Sequence, residues 1–229
     1  MKQQRKIHIK PSYIILGVIL ILLAAFCIRV AVWEHNYFAR MEGSERASSG
    51  AYIDGQDVDE EKPDSTAIAE YKVAPDKPRY LTIRSLGIIN ARIVEVGLKE
   101  NQELATPVNI YDIGWYTGSD LPGTGVSVMD AHGGNAGQGI FRTLPNIQTG
   151  AEIAVEMGDG RLYTYVVTDT ATKALGDDAN AYMNIAFTSP EPGTPSLTLI
   201  TCTGDWWLQS QTYSHRFFVR ALLKTEPTE

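Results

Sequence analysis

The sequence predicts a mainly β protein, a closed barrel or a sandwich, and three observations carry that reading. From residue 80 onward, short runs rich in Val, Ile, Leu, Thr and Tyr recur between Gly, Pro, Asp and Asn turns. No long stretch between those runs repeats its apolar residues with the 3.6-residue period of a helix. Two of the runs face each other across Gly158-Asp159-Gly160, where an Asp-Gly pair suits a tight hairpin turn.

Taken in order, residues 1–12 form a basic tail and residues 13–33 are almost wholly apolar. As a helix the apolar stretch rises roughly 31 Å, close to the hydrocarbon thickness of a bilayer. Tyr13 and Trp33 stand where interfacial aromatics belong, and the lysines precede the span. The N-terminus is therefore expected in the cytoplasm and the rest of the chain outside the cell membrane. Arg29 lies near the outer end, where its charge can snorkel to the interface. A cleaved signal peptide is the competing reading, but no Ala-x-Ala follows and Phe26 spoils a lipoprotein site at Cys27, so an uncleaved signal-anchor is expected. Residues 34–79 are rich in Gly, Ser, Pro and acidic side chains and read as a tether, flexible or at most locally helical around 65–71.

The folded domain is expected over residues 80–224, with a tail at 225–229. Strands are predicted at 80–84, 91–96, 126–131, 152–157, 161–168, 171–175, 197–202 and 216–223. A single helical turn is predicted at 141–144. Residues 177–195 hold several Asp, Asn, Gly and Pro residues and are too long for a hairpin, so they read as a functional loop, partly disordered.

With 229 residues and 44% hydrophobic content, the chain supports one domain with a real core plus appendages. Its net charge of −7 includes five positive charges before Glu34, which leaves −12 on residues 30–229. An acidic body of that kind excludes nucleic-acid binding. The two cysteines form no disulfide framework, because Cys27 lies in the apolar stretch. An exported Cys202 is then a free thiol that asks for a chemical reason.

Cys202 ends the apolar run 197–202, just before Gly204-Asp205 breaks the strand pattern. A strand end holds the backbone while the side chain faces a cleft. His132 ends the 126–131 strand in the same way, and Arg216 opens the last strand ahead of Phe217-Phe218-Val219. His8 and His35 fall in the tail and the tether. His215 adjoins Arg216, and adjacent strand residues point to opposite faces, so the two do not enter one cleft. Together, Cys202, His132 and Arg216 suit acyl transfer. The thiolate attacks, the imidazolium stabilises it and protonates the leaving amine, and the arginine donates to the developing oxyanion. One Cys and one His fall short of a metal site, so no cofactor is expected, and the sequence leaves calcium dependence open.

Thr198-Leu199-Ile200-Thr201-Cys202 resembles the T-L-x-T-C signature of sortases, the cell-wall transpeptidases of mainly Gram-positive bacteria. The stretch 81–98, Gly114-Trp115-Tyr116, Leu121-Pro122-Gly123-Thr124-Gly125 and Phe141-Arg142-Thr143-Leu144 are similar to the same family. His132 lies 70 residues before Cys202 and Arg216 lies 14 after it, as the resemblance requires. In many sortases a glycine precedes the histidine, whereas Asp130-Ala131 stand here. The resemblance implies an eight-stranded sortase-type β-barrel with short helices behind a transmembrane helix, with His132, Cys202 and Arg216 catalytic. It implies cleavage of an LPxTG-like signal on surface proteins, a thioacyl intermediate, and transfer to an amine of a peptidoglycan precursor or a pilin lysine. In the family the counterpart of 177–195 walls the sorting-signal groove, which implicates Tyr182, Ile185 and Phe187, with Thr201 of the signature, in substrate binding. Met183 and Ala186 are the other apolar residues of that loop. A cysteine endopeptidase using the same site and a catalytically silent surface-binding module remain the alternatives.

Overall fold

The computed structural model describes residues 58–133, 139–209 and 212–224. The predicted cytoplasmic tail, the membrane span 13–33, residues 34–57 of the tether and the tail at 225–229 lie outside the described residues. Among the described residues no helix is long and apolar enough to cross a membrane.

Eight strands close into a barrel: β1 (Pro78–Ile83), β2 (Ile88–Val96), β3 (Ile113–Tyr116), β4 (Val126–Ala131), β5 (Glu152–Met157), β6 (Leu162–Ala174), β7 (Ser196–Trp207) and β8 (Thr212–Leu223). Their order around the barrel is β1-β2-β3-β4-β7-β8-β6-β5. The β2–β3 and β4–β7 pairs are parallel and the rest antiparallel. Closure leaves no exposed edge. Leu81, Ile93, Trp115, Met129, Leu199 and Val219 point inward to the main core. Their neighbours Val128, Ile200 and Phe218 point outward and form a second apolar cluster, as strand alternation requires.

The expected count of eight holds, but two assignments change. β3 is a short strand buried at all four residues, so it shows no polar–apolar alternation to read. The runs 161–168 and 171–175 are one strand, β6. A register shift between Val167 and Asp169 bends it against β8 without ending it. The Gly158-Asp159-Gly160 turn joins β5 to β6 as expected, with Met157 N–H donating to Arg161 O at 2.8 Å and Gly160 at φ +87°.

The 177–195 segment is not all loop. Asp177–Ala186 forms helix α2, with Asp177 and Asp178 in its first turn, where carboxylates favour the positive helix end; α1 is the short helix Ser65–Glu70. The turn expected at 141–144 is present, with Leu144 N–H donating to Phe141 O at 3.0 Å, and it runs on into a 3-10 turn at Leu144–Asn146.

Part of the predicted tether is ordered against the barrel. Asp59 pairs with the segment before β3: its N–H donates to Val108 O, and Ile110 N–H donates to its carbonyl, both at 2.9 Å. Asp64 caps α1 by accepting from Ala67 N–H at 2.7 Å. The Tyr71 hydroxyl donates to Ile93 O, and Arg79 Nε donates to Tyr71 O at 2.8 Å. Burial pushes the Tyr71 hydroxyl up to about 12.

Candidate active site

Three neighbouring strands bring the sequence-predicted trio together. β4 and β7 run parallel with Ala131 beside Thr201, so the next residues, His132 and Cys202, emerge side by side. β7 and β8 run antiparallel with Cys202 directly opposite Arg216. The side chains of such a pair lie on one face. Arg216 Nη1 donates to the carbonyls of Tyr213 and His215 at 3.1 Å, and Nη2 donates to Thr212 Oγ1 at 3.0 Å. His215 lies on the other face, its Nδ1 2.8 Å from Ser214 Oγ, as alternation predicts.

Gly133 and Thr201 hold the strand ends in contact. Thr201 is buried and its hydroxyl donates to Ala131 O at 2.9 Å. It therefore braces β7 to β4. A Cβ on Gly133 would stand 2.1 Å from the Cys202 carbonyl oxygen. Only glycine fits so close an approach, a role that the sequence reading missed.

A second unforeseen participant is the β2–β3 connection, residues 97–112. His132 Nε2–H donates to Pro107 O at 2.8 Å, so a carbonyl rather than a carboxylate orients the ring. Leu104 packs on the outer apolar cluster. The far end of the connection is clamped by Arg92, which donates to both Asp112 carboxylate oxygens at 2.8 and 3.0 Å.

Burial pushes the Cys202 thiol up. The charges of Arg216 and Lys99 pull it down, and Asp130 pushes it further up. Burial holds His132 below the usual histidine range, with the Pro107 carbonyl drawing it up and Lys99 opposing protonation. Both shifts favour the neutral thiol–imidazole pair over the ion pair.

α2 lies over the same outer face. Tyr182 stacks on Phe218 with ring centroids 4.8 Å apart, beneath Lys173 Nζ at 4.8 Å from its ring. Its contacts pin the helix to the barrel. Ile185 and Phe187 stay exposed, at 42% and 38%, with Phe187 set edge-on to Tyr116 at 5.8 Å. By parity Arg220 shares the outer face with Arg216, but its Nη1 bonds Asp169 at 3.1 Å and its Nη2 donates to Thr188 O at 3.0 Å. It ties the segment after α2 to the barrel.

Solved structures similar to this one include sortase C2 of Group B Streptococcus pilus island 1 (18% identity, 84% of this chain and 97% of that one, TM-score 0.49). Sortase C of Streptococcus pneumoniae matches at 19% identity over 84% of this chain and 88% of that one, TM-score 0.49. The sortase D5 transpeptidase of Clostridium perfringens matches at 18% identity over 70% and 86%, TM-score 0.47. No curated protein matches the chain. The family model of the sortase domain matches residues 81–224, well over half of the sequence and all eight strands in whole or part, and the chain belongs to the sortase family.

Proposed function

We propose that the protein is a transpeptidase held at the cell membrane by residues 13–33, with its barrel outside the cell, acting on surface proteins that carry an LPxTG-like sorting signal. The Cys202 thiol passes its proton to His132 as Sγ attacks the carbonyl carbon of the scissile peptide bond, and Arg216 donates to the oxyanion that develops. The C–N bond breaks as His132 gives its proton to the leaving amine, which leaves a thioester on Cys202. An amine, from a peptidoglycan precursor or a pilin lysine, then attacks the thioester; His132 takes its proton and the thiol returns as the new amide forms. Exposed Ile185 and Phe187 are available to receive apolar residues of the signal.

The observation that carries this reading is the Cys202–Arg216 cross-strand pair with His132 at the adjoining end of β4. A nucleophile, an acid and an oxyanion donor meet at one place on a rigid barrel. Water competes for the same thioester, so the nearest alternative is an endopeptidase with the same residues. Product analysis with and without a candidate amine tests the proposal. Amide formed with the added amine supports transfer, whereas hydrolysis alone at every amine concentration favours the endopeptidase.

A further inference from the structure

The mechanism leaves Asp130 unused. It lies on β4 two residues before His132, so both side chains emerge on the same face. The registers place it in the row Gly114, Asp130, Ile200, Phe218 across β3, β4, β7 and β8. That row runs one pleat repeat, about 6.7 Å, from the row of His132, Cys202 and Arg216. A substrate lying across Cys202 passes over this row or its mirror on the hairpin side.

Asp130 is only 6% exposed, and its Oδ1 finds no hydrogen-bond partner among the described residues. A buried carboxyl oxygen without a partner is a cost to the fold that an apolar residue would avoid. β3 nevertheless makes room for it: a Cβ on Gly114 would stand 2.9 Å from Asp130 Oδ1. Two elements converge over the row. α2 packs from the β6 and β8 side, and the 97–112 connection brings Leu104 onto the same cluster. Lys99 of that connection is the cation that most favours the ionised Asp130, ahead of Arg216, while burial opposes ionisation. The whole body is acidic, which also favours a cationic partner.

We infer that Asp130 is a specificity-determining residue on the floor of the sorting-signal groove, where it pairs with a lysine or arginine side chain of the signal segment retained on Cys202. The inference rests on the proposed transpeptidase reading and adds a substrate class to it: a signal with a cationic residue upstream of the scissile bond.

The test uses the full-length protein and LPxTG-like peptides in which each retained residue is, in turn, lysine or its uncharged isostere norleucine. At one position the wild type is expected to favour lysine by on the order of tenfold in kcat/KM. Asp130→Asn should bring that ratio near one, mainly through KM, and Asp130→Glu should restore part of it. The ratio is internal to each variant, so a general loss of activity does not mimic the effect. No lysine preference in the wild type, or an undiminished preference in Asp130→Asn, overturns the inference. Failure of the wild type to process any peptide overturns the transpeptidase reading itself, and this inference with it.

Discussion

Replacing Gly133 by alanine adds one methyl group at the tightest point of the site. Its Cβ would stand 2.1 Å from the Cys202 carbonyl oxygen and 3.0 Å from Thr201 Oγ1, and real Cβ contacts essentially never fall below 3.0 Å. The end of β4 must therefore move from β7 by about 1 Å, carrying His132 with it. The neighbour to be displaced is backbone held in the β7–β8 ladder, so the strain cannot be relieved by turning a side chain. A misplacement of about 1 Å in a catalytic constellation costs on the order of 10²-fold in rate. Loosening the Thr201–Ala131 hydrogen bond adds about 1 kcal/mol of destabilisation. Peptide kcat/KM and thermal unfolding of Gly133→Ala measure both effects. An activity within about threefold of wild type would refute the claim that contact between these strand ends sets the geometry.

Arg216→Lys keeps the charge but loses the fork held by Tyr213 O, His215 O and Thr212 Oγ1, and should lower kcat by on the order of 10²–10³; steady-state kinetics check it. The pH profile of kcat/KM should be bell-shaped. It rises as His132, held low first by burial, loses its proton, and falls as Cys202, pushed up first by burial, loses its own. A rate flat from about pH 6 to pH 9 with chemistry limiting contradicts it. Asp130 is pushed well above its ordinary 3.8 by burial, so the native state holds a proton that the unfolded chain gives up, and stability is lost as pH rises above that value. Asp130→Asn lacks this loss, so its advantage in Tm should widen with pH; a constant difference in melts across that range contradicts the assignment.

What was legible in the sequence was what strand periodicity carries. Cys202, His132 and Arg216 each sit at or near a strand end marked by a glycine break or an apolar run, and two-residue parity separated His215 from Arg216. What was not legible depends on contacts between distant segments. β3 is buried on both faces and so has no alternation. β6 looked like two strands because the Asp169-Thr170 dipeptide reads as a break, whereas the fold absorbs it as a bulge against β8. The Asp and Asn residues of 177–186 read as loop, but Ala179, Tyr182 and Ala186 recur with helical spacing and turn one face to the barrel. Alternation turns Thr201 inward, but its bond to the Ala131 carbonyl joins residues 70 apart in sequence and has no local signal. Pro107 is distant in sequence from His132, and no local pattern announces a carbonyl contact of that kind.

The central claim is that Cys202 carries the acyl group between donor and acceptor. Intact-protein mass measurement after mixing the enzyme with an LPxTG-like peptide in the absence of added amine tests it most directly. The wild type should gain the mass of the retained peptide fragment at Cys202 and lose it when an amine is added. Cys202→Ala should unfold at a similar temperature and gain nothing. Turnover of the peptide by Cys202→Ala at the wild-type rate would contradict the account.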